Sequence, residues 1–220
     1  MKTIAIISRK GGAGKTTLAI HLATAAEAAG ITTAIFDLDP QASAAIWADR
    51  RDGKPPAVLP AQAPRLPALL AQAAKQEAGL VILDTAPHDD GIAGEAATQA
   101  DAILIPCRPS SLDLDAIGAS VRLARSTGRP AYVVINAAPA QGTETGEAMT
   151  ALTAAGVTVS PVVIHQRKAL ASFIQQGGSA GEAEPKGKAA DEINKLFLWI
   201  CDQVSLVDNK HVTKLARSRR

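Results

Sequence analysis

Eight consecutive residues, Lys10-Gly11-Gly12-Ala13-Gly14-Lys15-Thr16-Thr17, bring together the residue types that hold anionic oxygens. Glycines let a backbone approach a ligand closely, because no Cβ stands in the way. Successive N–H groups of such a loop, joined by the free N–H groups of a helix starting behind it, would cradle phosphate. In that arrangement Lys15 reaches β- and γ-phosphates and Thr16 offers a hydroxyl to Mg2+. Carboxylates complete the set. Leu80-Val81-Ile82-Leu83-Asp84 is an apolar run closed by an acid, the form of a Walker B element, and Asp84 would hold Mg2+ through water. A second run ends Asp37-Leu38-Asp39-Pro40-Gln41, and alternation along a strand puts Asp37 and Asp39 on one side of it. Capping of the following helix is the alternative role for either aspartate.

These groups act together only if strands and helices bring them to one edge. Thr3 to Ser8 reads as a buried strand, since Ile4, Ala5, Ile6 and Ile7 run on without alternation. The pattern turns helical from Thr16 to Ala29, with Gly30 placed to end the helix in a left-handed turn. Apolar runs recur at Thr33 to Phe36, Leu80 to Leu83, Ala102 to Ile105, Tyr132 to Ile135 and Val162 to Ile164, separated by Ala-rich stretches of helical length. Alternation of this kind predicts a three-layer α/β fold, a mostly parallel twisted sheet with helices on both faces, and the glycine loop after its first strand makes it a P-loop fold. Five prolines between Gly53 and Pro67 exclude a long helix or a central strand, and predict a surface connection. Gly177 to Gly187 reads as irregular. It precedes a helix that puts Ile193, Leu196, Phe197 and Ile200 on one face.

Composition agrees with this layout. The chain has 220 residues, 47% hydrophobic but only 3% aromatic, so Ala, Val, Ile and Leu must build the core, as suits a buried parallel sheet. Cys107 and Cys201 lack metal-ligand or C-x-x-C spacing and are expected to be buried free thiols in a reducing cytoplasm. The first apolar stretch is too short to span a bilayer and lacks a cleavage pattern. Net charge is +2, but after Val207 five basic residues stand against Asp208 alone. The expected division is an ATPase domain at 1–207 and a basic tail at 208–220. That tail would either contact phosphates or remain solvated.

The glycine loop departs from G-x-x-x-x-G-K-[ST]: Arg9 stands where the first glycine belongs, and Lys10 is an added lysine. The segment resembles the deviant Walker A motif of the ParA and MinD superfamily. Asp39-Pro40-Gln41 with Ser43 and Trp47, and Pro109-Ser110-Ser111-Leu112-Asp113, are similar to the corresponding stretches of small plasmid-type ParA proteins. The resemblance implies a cytoplasmic, nucleoid-associated ATPase that takes ATP and Mg2+ and forms a homodimer with ATP. Lys10 would cross to the partner's nucleotide, with Gly12 kept small where the subunits meet. Asp39 would position the attacking water, Asp37 would support the Mg2+ shell indirectly, and Asn136 would lie near the adenine, a polar cap on its strand end being the alternative role. DNA would be bound without sequence preference through Arg167, Lys168, Lys186 and Lys188, and a ParB-type adaptor would stimulate hydrolysis. The early start of the first strand leaves no room for the operator-binding domain of larger relatives, so autoregulation is not expected.

Four other readings compete. The resemblance also admits a cargo other than a plasmid, since ParA relatives position chemotaxis arrays, conjugation complexes and carboxysomes. A metabolic P-loop enzyme of the dethiobiotin synthetase type would need an acceptor pocket. An iron-protein role would need cluster ligands that Cys107 and Cys201 do not supply. A MinD-like membrane switch would need a bulky amphipathic C-terminal helix, whereas only Val212 and Leu215 are large and apolar after Val207.

Overall fold

Strands too apolar to alternate have to be covered on both faces, and the chain does this with fifteen strands and helices in a computed structural model that describes residues 1–206. In order these are β1 (Lys2–Ile6), α1 (Lys15–Ala28), β2 (Thr33–Asp37), α2 (Ser43–Asp49), β3 (Ala57–Pro60), α3 (Leu66–Lys75), β4 (Leu80–Asp84), α4 (Asp90–Gln99), β5 (Ala102–Cys107), α5 (Ser111–Ser126), β6 (Ala131–Ile135), α6 (Glu144–Ala154), α7 (Lys168–Ser172), α8 (Ala180–Ala183) and α9 (Lys188–Val204). The strands form one parallel sheet in the order β3-β2-β4-β1-β5-β6.

Successive strand residues point to opposite faces, and the two cores follow that parity. Ile4, Ile6, Ile35, Leu80, Ile82, Leu104 and Val134 meet α1, α2 and the C-terminal helices, including Ile193, Leu196, Phe197 and Ile200. Ala5, Ala34, Phe36, Val81, Leu83, Ile103 and Ile135 meet α3 to α6. Both cysteines are buried and free, as expected, and burial pushes their thiols up to about 12, so neither is a nucleophile at neutral pH.

Two predicted segments differ. Val162 to Ile164 is not a strand. The chain follows β6 through bridges at Val133↔Val159 and Ala138↔His165, but Pro161 has no N–H, and Ser160 Oγ accepts from Val162 N at 3.1 Å. The proline-rich connection contains an edge strand, β3, which pairs with β2 and ends at Pro60, a position where the missing donor is tolerated. The irregular stretch 177–187 holds the single-turn α8. Gly30 has φ 81, the left-handed turn expected at the end of α1. The basic stretch 208–220 lies outside the described residues.

Register sets the level of the functional edge. Ile6 of β1 pairs with Asp84 of β4, and Asp84 pairs with Asp37 of β2. All three strands therefore finish together, at the carboxyl edge where open α/β sheets take ligands.

Candidate functional site

The glycine loop leaves β1 at this edge and runs into α1. Gly12 and Gly14 have φ of 72 and 94, left-handed values that glycine adopts without strain. Gly11 has open space around it and Ala13 is buried. Helix α1 begins at Lys15 with Gly14 as its N-cap and no side-chain cap, so its first N–H groups, those of Lys15, Thr16 and Thr17 among them, face the loop without helical partners.

Lys15 is 6% exposed, and its Nζ donates to the Ser8 carbonyl at 3.3 Å. Burial lowers its pKa, and the charges of Asp84 and Asp39 pull it back up, so one ammonium sits between two acids. Asp84 is fully buried, and neither carboxylate oxygen has a hydrogen-bond partner. Among the described residues these are the only buried side-chain polar atoms left so. Burial pushes its carboxyl up to about 7; the Thr16 hydroxyl favours the charged form from nearby without forming a bond, and Asp37 opposes it. A desolvated carboxylate with free lone pairs beside a hydroxyl suits a hydrated divalent cation, so Thr16 and Asp84 fit Mg2+.

A carboxyl raised from 3.8 in this way destabilises the ligand-free fold progressively as pH rises towards 7, because the folded chain holds a proton that the unfolded chain releases. Asp84→Asn is accordingly expected to raise the thermal midpoint of the nucleotide-free protein, by more at pH 8 than at pH 5. Melting curves at the two pH values check this, and an equal shift at both would contradict it.

Asp37 and Asp39 diverge despite their spacing. Asp37 Oδ2 accepts from Ala44 N at 2.9 Å and Ala45 N at 3.1 Å, at the start of α2, and Oδ1 accepts from Asp39 N at 3.1 Å. Burial raises its pKa and these amides partly offset the rise. The structure thus places Asp37 level with Asp84 but with its carboxylate on α2. Asp39 is half-buried, and its Oδ1 accepts from Gln41 N at 2.9 Å, holding the turn that follows. Of the residues after Asp84, Asp89 caps α4 by accepting from Ile92 N, and Asp90 meets Arg9 at 3.3 Å.

On the other side of the loop, Lys10 Nζ lies 2.7 Å from Asp113, whose side chain is 7% exposed. Burial alone would raise the Asp113 carboxyl, but hydrogen bonds from Lys10 and from Ser110, the N-cap of α5, outweigh it and hold it below its ordinary value. Asn136 is buried and its Nδ2 donates to Ala13 O at 2.7 Å. It therefore touches the glycine loop itself. Arg108, which sequence reasoning passed over, donates from Nη2 to Gly12 O at 2.6 Å.

Of the basic residues expected to meet DNA, Arg167 follows the bridge that ties His165 to Ala138, just past the end of β6. Arg167 donates through Nε to both oxygens of Glu192 at 3.2 Å, and His165 Nδ1 meets the same carboxylate at 2.9 Å. Burial would raise Glu192, yet Arg167 and His165 keep it below its ordinary value. Lys168, Lys186 and Lys188 are exposed. Among the described residues, no helix is long and apolar enough to cross a membrane.

A parallel sheet whose first strand opens into this loop, with a buried lysine above a partnerless carboxylate, defines the P-loop class of nucleotide-binding folds. Residues 4–179 match the family described as CbiA, the CobQ/CobB/MinD/ParA nucleotide binding domain, and the chain belongs to that family. It is 33% identical over 207 residues to "Maintenance of carboxysome distribution protein A" of Gloeobacter kilaueensis, covering 88% of this chain and 94% of that one. It is 34% identical over 116 residues to "Protein ParA" of Rhizobium radiobacter, a match to about half of each chain, 51%. Among solved structures, the septum site-determining protein MinD complexed with Mg-ADP, from Pyrococcus horikoshii, has a TM-score of 0.74 at 18% identity, covering 90% of this chain and 95% of that one.

Proposed function

We propose that the chain is an ATPase that dimerises on ATP, binds DNA without sequence preference and uses hydrolysis to partition DNA. The observation that carries the nucleotide site is Asp84, a buried carboxylate without a partner, facing a loop that presents unpaired N–H groups and the Lys15 ammonium. Residues 11–17 take the phosphates, Lys15 the β- and γ-phosphates. Thr16 and Asp84 hold Mg2+, with Asp37 fixing the adjoining turn. Mg2+ supplies charge neutralisation on the transferring phosphoryl group. Asp39 holds the attacking water in line, since phosphoryl transfer depends mainly on positioning.

Lys10 reaches the partner's nucleotide. In the single chain it is held by Asp113, so dimer formation has to exchange that contact for phosphate. Opening the pair leaves Asp113 buried with Ser110, a cost that a triphosphate in the partner has to offset. DNA phosphates meet Lys168, Lys186 and Lys188, while Glu192 restrains Arg167. The site of action is the cytoplasm, on the nucleoid, with a ParB-type adaptor that stimulates turnover.

A second reading keeps the switch and changes the cargo. It is favoured by similarity along nearly the whole chain to a carboxysome distribution protein, against half of the chain for a ParA. DNA binding tests the switch common to both. With turnover blocked, the protein is expected to co-sediment with plasmid DNA of arbitrary sequence only with Mg-ATP, and to be released as salt rises from about 50 to 200 mM. Equal binding with ADP would contradict the switch. Stimulation of hydrolysis by a centromere-binding protein, or by a cargo-bound one, separates the two cargoes.

A further inference from the structure

Two peptide planes at the crest of the glycine loop are each held by a side chain from outside the motif. Arg108 Nη2 donates to Gly12 O at 2.6 Å, and Asn136 Nδ2 donates to Ala13 O at 2.7 Å. The two side chains arrive together because β5 and β6 end level: Cys107 pairs with Ile135, and Asn136 N donates to Cys107 O at 2.8 Å. Parity sends both toward α1, since Val134 faces that side and Asn136 is two residues on, while Ile105 and Cys107 face away from it, leaving Arg108 to point back.

A trans peptide is rigid, with the C=O of one residue and the N–H of the next pointing in opposite directions. Holding Gly12 O on Arg108 therefore turns Ala13 N–H the opposite way, and holding Ala13 O on Asn136 does the same for Gly14 N–H. Among the described residues, neither of these amides donates to a protein acceptor. The identity of the contact atoms follows from their chemistry, because a carbonyl oxygen accepts only, and so the Asn136 amide must present its nitrogen. Gly14 makes room for it: a Cβ there would lie 2.3 Å from Asn136 Nδ2.

We propose that Arg108 and Asn136 are positioning residues that preset the phosphate loop, aiming the Ala13 and Gly14 amides at the nucleotide's phosphates before it arrives. The inference rests on the nucleotide reading of the loop, and it moves Asn136 from reading the base to shaping the phosphate site. Preset donors lose no reorganisation energy on binding. Because they meet ground-state and transition-state phosphates alike, their loss should raise KM and spare kcat.

The test measures calorimetric Kd for Mg-ATP and for inorganic tripolyphosphate, which has no base, in the parent, Asn136→Ala, Arg108→Ala and Arg108→Lys. Asn136→Ala is expected to weaken both ligands by a similar factor, about 10-fold, the worth of a buried hydrogen bond. Arg108→Ala is expected to weaken both by about 5-fold and Arg108→Lys to recover most of that, with kcat at saturating ATP within about 2-fold of the parent. Melting of the nucleotide-free Arg108→Ala protein should stay within about 2 °C, as for an exposed site. Unchanged tripolyphosphate binding in Asn136→Ala alongside weakened ATP binding would return that residue to the base and overturn its proposed role. Unchanged affinities in all variants would overturn the inference for both residues. A parent that binds neither ligand would instead overturn the nucleotide reading beneath it.

Discussion

Lys15→Ala is expected to abolish nucleotide binding, with an affinity loss of at least about 100-fold, or about 2.7 kcal/mol. The size follows from the surroundings. Lys15 is buried beside Asp84 and Asp39, so its removal leaves two acids facing a polyanion, and a charge withdrawn from water interacts far more strongly than one on the surface. The fold should survive. Alanine suits the first turn of α1, and the only hydrogen bond lost is the long one to Ser8 O at 3.3 Å. Calorimetric titration with Mg-ADP, alongside a melting curve, separates lost binding from lost structure. Binding within about 3-fold of the parent, roughly 0.65 kcal/mol, would contradict the role given to Lys15.

Asp39→Ala is expected to do the reverse, keeping nucleotide affinity within a few-fold while turnover falls about 100- to 1,000-fold, the range for losing a group that orients or activates water. Asp39 also holds its own turn through Gln41 N at 2.9 Å, so the alanine could act by loosening the loop. Asp39→Asn separates the two effects, since an amide oxygen can still accept from Gln41 N but lacks the charge. Both variants should lose turnover if the carboxylate acts on water. An Asp39→Asn protein that hydrolyses ATP at the parental rate would leave Asp39 with only the turn to hold.

Local pattern carried much of this site. Continuous apolar runs located five of the six strands, and an acid closing such a run located Asp84, because burial on both faces and a ligand at the strand end each leave a mark in neighbouring residues. Pairing between distant residues leaves none. Lys10 and Asp113 meet at 2.7 Å although four strands and four helices separate them along the chain, and nothing beside either residue signals the other. Glu192 restrains Arg167 in the same way, which is how an arginine expected to meet DNA came to be paired within the chain. Alternation made Asp37 and Asp39 look alike. The structure separates them: the first is taken by the amides of α2, and the second holds its own turn through Gln41 N.

Arg108 and Asn136 mark a different limit. Asn136 directly follows its predicted strand, but Arg108 lies three residues past the predicted end at Ile105, and only the level ending of β5 and β6 shows that the two reach successive carbonyls. Edge strand β3 was missed because five prolines dominate its surroundings, although its pairing with β2 needs hydrogen bonds from only one side. Val162 to Ile164 carried the right residue types, but a single proline before them kept the ladder from closing.

The proposed ATP-driven exchange of Lys10 from its own Asp113 to a second chain is tested most directly by molecular mass. Sedimentation equilibrium of the Asp39→Ala protein should give one chain with ADP and two with Mg-ATP, and adding Lys10→Ala should return it to one chain while ATP still binds. An ATP-loaded protein that stays single with hydrolysis blocked, or a dimer indifferent to Lys10, would contradict it.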